Sequence, residues 1–239
     1  MLKNLAAVST LVIPFLFFPT QAQAITINLA TGLDASNTLI TTGAQSDAHW
    51  TVDNPQGSST TTPAQTVYPG NPNWFGGWLA NGPNSTWIAR DANTPANGLG
   101  TYTRAFDLTG VDLSTVSITG SWAVDDTGIL ALNGQQIASL SAGAWGSLTP
   151  FSLAAGSSTA ALLNQGQNQL TIRIIDPTDN FLEGVRLQGT LTGSNAPTSV
   201  PEPTSTLSLL ALGTLGAAST LKRKLKSSQS TEKETTEIG

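Results

Sequence analysis

The chain of 239 residues contains no cysteine. That absence removes disulfide staples and zinc–thiolate sites from consideration. Charge is nearly as scarce: 10% of residues are Asp, Glu, Lys or Arg, where about a quarter is usual. Between Ile25 and Val200 there is no lysine at all, and eleven acids face four arginines, a formal charge of −7. A pI near 4.6 excludes a polybasic nucleic-acid binder. Disorder is excluded as well, because 39% of residues are hydrophobic and the net charge is small. What is plentiful is Gly, Ser, Thr and Asn. Many short strands and turns, with polar faces made of hydroxyls and amides, suit that composition.

The two ends read as targeting segments. Residues 1–24 carry Lys3, then the apolar run from Leu11 to Phe18, then Ala22-Gln23-Ala24. A positive start, a short apolar core and small residues at Ala22 and Ala24 define a secretory signal peptide, cleaved before Ile25. An uncleaved anchor fits less well, because the run is shorter than the roughly 20 residues of a span. At the other end, residues 194–203 form a linker containing Val200-Pro201-Glu202-Pro203. The uncharged stretch from Thr204 to Leu221 follows, and Lys222, Arg223, Lys224 and Lys226 come directly after it. As a helix, residues 204–221 would reach about 27 Å at roughly 1.5 Å per residue, the short limit for a membrane span. Basic residues just beyond favour a cytoplasmic C-terminus, with the acidic region outside.

This ordered combination resembles the PEP-CTERM sorting signal. The resemblance implies export, recognition by an exosortase, removal of the tail near Pro201–Pro203, and delivery to the cell envelope or an extracellular polysaccharide matrix. One departure is the polar extension from Ser227 to Gly239 beyond the basic cluster of residues 222–226, with Glu232, Glu234 and Glu237; together they make up residues 222–239. That extension leaves open whether the tail is removed or retained as an anchor.

Residues 25–193 read as one all-β domain, a two-sheet sandwich. Val116, Ile118, Trp122 and Val124 alternate with Ser117, Thr119, Ser121 and Ala123. Leu170, Ile172 and Ile174 alternate in the same way, as do Val185, Leu187 and Leu191. A period of two with one apolar face marks half-buried strands. Asn133-Gly134 and Gly166-Gln167-Asn168 mark turns. Residues 157–163 are the one plausible helical turn, and the Ser/Thr/Pro-rich residues 56–66 read as an exposed loop.

Several motifs then resemble the galactose-binding-like jelly roll found in discoidin-type and carbohydrate-binding modules. They are Tyr102-Thr103-Arg104-Ala105-Phe106, the strand ending in Asn133-Gly134, Thr149-Pro150-Phe151, and Gly166-Gln167-Asn168-Gln169-Leu170. The resemblance implies a two-sheet jelly roll and, in some members, one structural Ca2+.

Catalysis finds little support. His49 is the only histidine, and no Gly-x-Ser-x-Gly elbow accompanies it. Asp125 and Asp126 are adjacent, so on a strand they point to opposite faces and cannot flank one sugar bond. An ordinary acidic turn before Thr127-Gly128 is the favoured reading of that pair. Calcium takes oxygen ligands from loops, and Asp34, Asp125, Asp126 and Glu183 are the candidates, although no EF-hand spacing is present. Trp74, Trp78 and Trp145 are candidate sugar-stacking residues if exposed, and core plugs if buried. Arg104 is a candidate ligand contact or a buried ion-pair partner. The leading expectation is an exported, non-enzymatic protein that binds glycans or exopolysaccharide. The alternatives are a glycan-active hydrolase with unrecognised carboxylates and a purely structural envelope protein.

Overall fold

A computed structural model describes residues 22–197, except 55–57, 96–99 and 177–181. The side chains of residues 54, 58–60 and 176 also lie outside the description. Eleven strands follow in order: β1 (Ala24–Asn28), β2 (Ser46–Asn54), β3 (Ser58–Thr66), β4 (Ile88–Ala89), β5 (Thr101–Asp107), β6 (Val111–Asp125), β7 (Thr127–Leu132), β8 (Gln135–Leu140), β9 (Thr149–Leu153), β10 (Gln167–Asp176) and β11 (Gly184–Asn195). A 3-10 turn, Ala144–Gly146, precedes β9, and a single helical turn, α1 (Ser157–Ala160), follows it.

Hydrogen bonding joins the strands in one path, β8-β7-β10-β5-β2-β3-β4-β11-β6-β9, with β1 added on β11. Every pairing is antiparallel. The path is all-β and sandwich-like, because one apolar core draws on both of its halves. Leu130, Leu170, Ile172 and Tyr102 come from the β7-β10-β5 half, and Ile118, Trp122, Leu187, Leu191 and Phe151 from the β11-β6-β9 half. The ladder therefore folds over on itself, and its two halves meet face to face.

The alternating residues behave as their periodicity predicts. Val116, Ile118, Trp122 and Val124 are buried, and so are Leu170, Ile172 and Ile174. Each such aliphatic residue contributes roughly 1.5–3 kcal/mol by leaving water. Asn133 and Gly134 form the two-residue β7–β8 turn, with φ of 48° and 82°. Positive φ at both positions belongs to the hairpin turn whose twist matches its strands, and Asn-Gly tolerates it best. The Asn133 side chain also donates to the Asn168 side chain at 2.7 Å and accepts from the Gln169 amide at 2.8 Å. Those bonds tie the hairpin to the start of β10, so the Asn-Gly and Gly-x-Asn motifs lock onto each other.

Two expectations need correction. Residues 58–66 are not a loop but strand β3, pairing with both β2 and β4. Threonine is β-branched and suits a pleated strand, and Ala64 supplies a buried inward residue. At the C-terminal boundary, β11 continues past Gly193 to Asn195, pairing Ser194 with Asp112 and Asn195 with Val111. The described residues fall in a compact unit that ends at Pro197. At the N-terminus Ala24 is already paired, with Ser194. The cleavage expected before Ile25 would remove that first pair and leave the other four of β1.

Candidate functional site

The segment from Asn73 to Ala92 decides what the predicted aromatic residues do. Apart from β4 within it, it lies over the outer face of the β6–β11 pair, and there builds a second apolar cluster of Val67, Trp78, Trp87, Ala89, Ala92 and Ala123, with Trp74, Trp145, Leu148 and Leu182 packed on its margin. Trp78 and Trp87 stack at 4.5 Å with 19° between their planes. The Trp78 indole donates to Asp125 Oδ2 at 2.6 Å, and that of Trp87 donates to the Leu79 carbonyl at 2.7 Å. Satisfying the indole N–H while burying the ring suits a plug rather than a stacking platform. Trp78, at 4% exposure, is core. A Cβ on Gly184 would sit 2.6 Å from its ring, so glycine there permits the close approach of β11.

Trp74 and Trp145 are half-buried. Trp74 meets Trp78 edge-on at 5.6 Å, and Trp145 meets Phe75 edge-on at 5.9 Å. Arg186, on the same outer face, is buried and donates to Ser85 Oγ at 2.9 Å and to the Ala80 carbonyl. The side chain of Asn81 donates to the Val67 carbonyl at 2.8 Å and accepts from the Trp87 amide at 2.7 Å. The Gly/Asn/Pro-rich stretch is thus an ordered cover.

The acids expected to bind calcium are engaged elsewhere. Asp34 accepts from the amides of Ser36 and Thr38, closing its own loop. Asp125 and Asp126 stand at the bend between β6 and β7, both buried, and the peptide between them is cis. Glu183 is buried, accepts from Tyr102 Oη at 3.1 Å, and faces Arg90 Nη2 at 3.4 Å. Burial pushes its carboxyl up to about 7 from the ordinary 4.5, against the pull of Arg90 and the Tyr102 hydroxyl. Among the described residues no three His, Asp or Glu side chains gather to hold a metal ion.

Arg104 lies on β5 opposite Trp50 and donates to the Asn28 carbonyl at 3.1 Å. It makes no described ion pair, and burial lowers its pKa while the nearby Asp47 opposes that shift. His49 has a buried Nε2 with no hydrogen-bond partner among the described residues. Burial, followed by the charge of Arg104, lowers its pKa and favours the neutral ring.

The open surface lies farther along the same strands. A groove of about 530 Å3 runs over β1, β11 and β6, lined by Asn28, Thr119, Ser121, Gln188 and Thr190 together with Leu33, Asn37, Leu39, Pro83 and Asn84. Asn28 pairs with Thr190, and Thr190 pairs with Thr119, so three polar side chains sit abreast across three strands. Gln188 pairs with Ser121 and donates to its hydroxyl at 3.0 Å. Gly120 and Gly189 lie opposite each other beneath them. A Cβ on Gly120 would meet the Gln188 carbonyl at 2.5 Å and Phe151 at 2.8 Å, so the floor closes only with glycine. Sequence reasoning had placed Thr119 and Ser121 on the outward parity without assigning them a role. The available signal was the uncharged outward run of Ser117, Thr119 and Ser121.

Residues 199–224 match the PEP-CTERM protein-sorting motif. The match spans Val200, Pro201, Glu202, Pro203 and the basic residues Lys222, Arg223 and Lys224. It indicates an exported, envelope-sorted protein processed by an exosortase. The predicted membrane helix at 204–221 and most of the signal peptide lie outside the described residues, and no described helix is long and apolar enough to cross a membrane. A search of curated proteins finds no match.

Among solved structures, a β-glucuronidase from an uncultured Clostridium sp. is similar at 13% identity and a TM-score of 0.37, over 78% of this chain and 33% of that one. A family 35 carbohydrate binding module from Clostridium thermocellum is similar at 15% identity and a TM-score of 0.29, over 53% of this chain and 85% of that one. The Stig cyclase Fisc from Fischerella sp. TAU is similar at 13% identity and a TM-score of 0.39, over 73% of this chain and 100% of that one. The chain spans 23% of an FMN-binding β-glucuronidase that it also matches.

Proposed function

We propose that this chain is an exported, non-catalytic glycan-binding protein, held at the envelope or in an extracellular polysaccharide matrix after exosortase processing. In this reading the two halves of the folded ladder are the two sheets of a galactose-binding-like jelly roll. The transmembrane helix at 204–221 then holds the chain in the membrane until processing. The observation that carries the proposal is the sorting motif at 199–224, which sends an acidic, hydroxyl-rich β domain to a compartment rich in polysaccharide. A binding role rather than a catalytic one is supported by the engagement of Glu183 with Arg90 and Tyr102, and of Asp125 with Trp78. Glycosidases hold two carboxyl groups across one sugar bond in an accessible cleft.

The test has two parts, both on the full chain. Expressed in a bacterium with an exosortase, the wild type reaches the surface or the medium, whereas a Pro201→Ala, Glu202→Ala, Pro203→Ala variant stays in the membrane fraction. On a polysaccharide array the purified chain is retained without release of reducing sugar. Retention on no polysaccharide rejects glycan binding, and sugar release rejects the non-catalytic role.

A further inference from the structure

The groove over β1, β11 and β6 carries more information than its volume, because every polar group along it is neutral. Its lining includes no Asp, Glu, Lys, Arg or His. Amides and hydroxyls both donate and accept, which suits sugar hydroxyls, themselves donors and acceptors. Leu39 and Pro83 add apolar surface for the C–H faces of a pyranose.

The cations decide what kind of glycan is compatible. Four arginines occur between Ile25 and Val200, and three are taken up within the fold. Arg90 faces Glu183, Arg104 donates to the Asn28 carbonyl, and Arg186 donates to Ser85 and Ala80. The fourth, Arg173, is exposed on β10, where it lines a separate hollow with Thr101, Ile129, Thr171 and Gln136. Among the described residues no cation lines the groove. Anionic sugars are bound by charge-assisted, often bidentate contacts from Arg or Lys. A uronate or sulfate placed in this groove would lose water without such a partner, within a domain of formal charge −7.

We infer that the groove lined by Asn28, Thr119, Ser121, Gln188 and Thr190 is the glycan site, and that it takes uncharged polysaccharide chains. The inference rests on the glycan-binding reading above and adds to it both the site and the charge class. It moves the site away from Trp78 and Arg104.

The full chain is tested for retention on four neutral polysaccharides (dextran, mannan, galactan and a β-glucan) and two anionic ones (alginate and polygalacturonate), with melting followed in parallel. The expected result is retention on at least one neutral polymer and on neither anionic polymer. Thr190→Trp fills the middle of the groove and should weaken neutral retention at least tenfold. Gln136→Trp, on the separate hollow, should leave it unchanged. Thr119→Lys should bring in alginate. Should Thr190→Trp lower the melting temperature, Gln188→Ala serves in its place, with a smaller loss of retention expected. Unchanged retention in the groove variants overturns the site while the glycan-binding reading stands. Preference of the wild type for alginate or polygalacturonate overturns the charge class. Retention on none of the six polymers removes the inference together with the reading beneath it.

Discussion

The outer face of the β6–β11 pair is treated in opposite ways at its two ends. Toward Asp125 and Gly184 it is sealed: Ala123 and Arg186 are buried beneath Trp78, Trp87 and the Asn73–Ala92 segment. Toward Thr119 and Thr190 it is open, and its side chains are hydroxyls and amides. The same two strands thus carry a second core and a candidate binding groove within a few residues of each other. The sealed end holds the buried ionisable groups of the pair: Asp125 accepts from Trp78, and Arg186 donates to Ser85 and to the Ala80 carbonyl. The open end holds none. Rigidity is built where the tryptophans are, and accessibility is left where the charge is absent.

The largest effect should come from breaking the seal. Trp78→Ala removes a stacked, buried indole and one hydrogen bond to Asp125, and leaves a cavity against Trp87. The expected cost is about 3–5 kcal/mol, read as a lower urea midpoint at unchanged m. Polysaccharide retention by the fraction that stays folded should not change. A normal melting curve with lost retention would place the ligand on the tryptophans and reverse the comparison.

A smaller effect concerns Glu183. Its folded pKa of about 7 lies above the ordinary 4.5, so between those values the folded state binds more protons than the unfolded one. Stability contributed by the protonated carboxyl is therefore complete below about pH 4.5 and is lost as pH rises through about 7. The difference amounts to about 3–4 kcal/mol at most, since one pKa unit is worth about 1.4 kcal/mol. Melting of the wild type against Glu183→Gln from pH 4.5 to 8 checks this. The glutamine variant should lose the corresponding share of the decline. Identical profiles would mean that Glu183 does not titrate in this window. Groove retention, with no ionisable lining, should be flat over the same range.

How legible each region was from sequence follows from what buries it. The inner face was legible because one face of each strand meets one core, so Ile118, Trp122, Ile172 and Leu187 declare themselves by parity. The Asn133-Gly134 turn was legible because positive φ restricts residue choice. The seal was not, because Ala123 and Arg186 sit on the outward parity and are buried only by a segment with no period of its own. The turn at Asp125 and Asp126 was legible from local composition, but their burial was not, because only the cover supplies the indole that Asp125 accepts from. Tryptophans among Gly, Asn and Pro read equally as a binding loop or as a lid. Deciding between them needs the register of β11 beneath, where Gly184 makes room for Trp78. The groove was half-visible. Its outward hydroxyls could be named, but the apposition of Asn28, Thr190 and Thr119 depends on β1 returning to pair with the far end of the chain.

The smallest expected effect lies at the margin of the seal. Phe75 is 37% exposed and touches Trp145 only edge-on, with ring centroids 5.9 Å apart. Its ring folds back over Gly77, where a Cβ would fall 2.5 Å from Phe75 Cε1. Edge contacts of this kind are worth about 0.5–1.5 kcal/mol beyond area burial, and part of the Phe75 surface never leaves water. Phe75→Ala should therefore cost about 1 kcal/mol, far less than Trp78→Ala, by the same urea measurement. Because Phe75 is exposed at the margin of the cover and Trp145 beside it is half-buried, this variant also probes sugar stacking directly. Neutral-polysaccharide retention should be unchanged within twofold if the ligand lies over Thr119 and Thr190. A tenfold loss at so small a cost in stability would show that the rim of the seal, rather than the open end of β6–β11, holds the sugar.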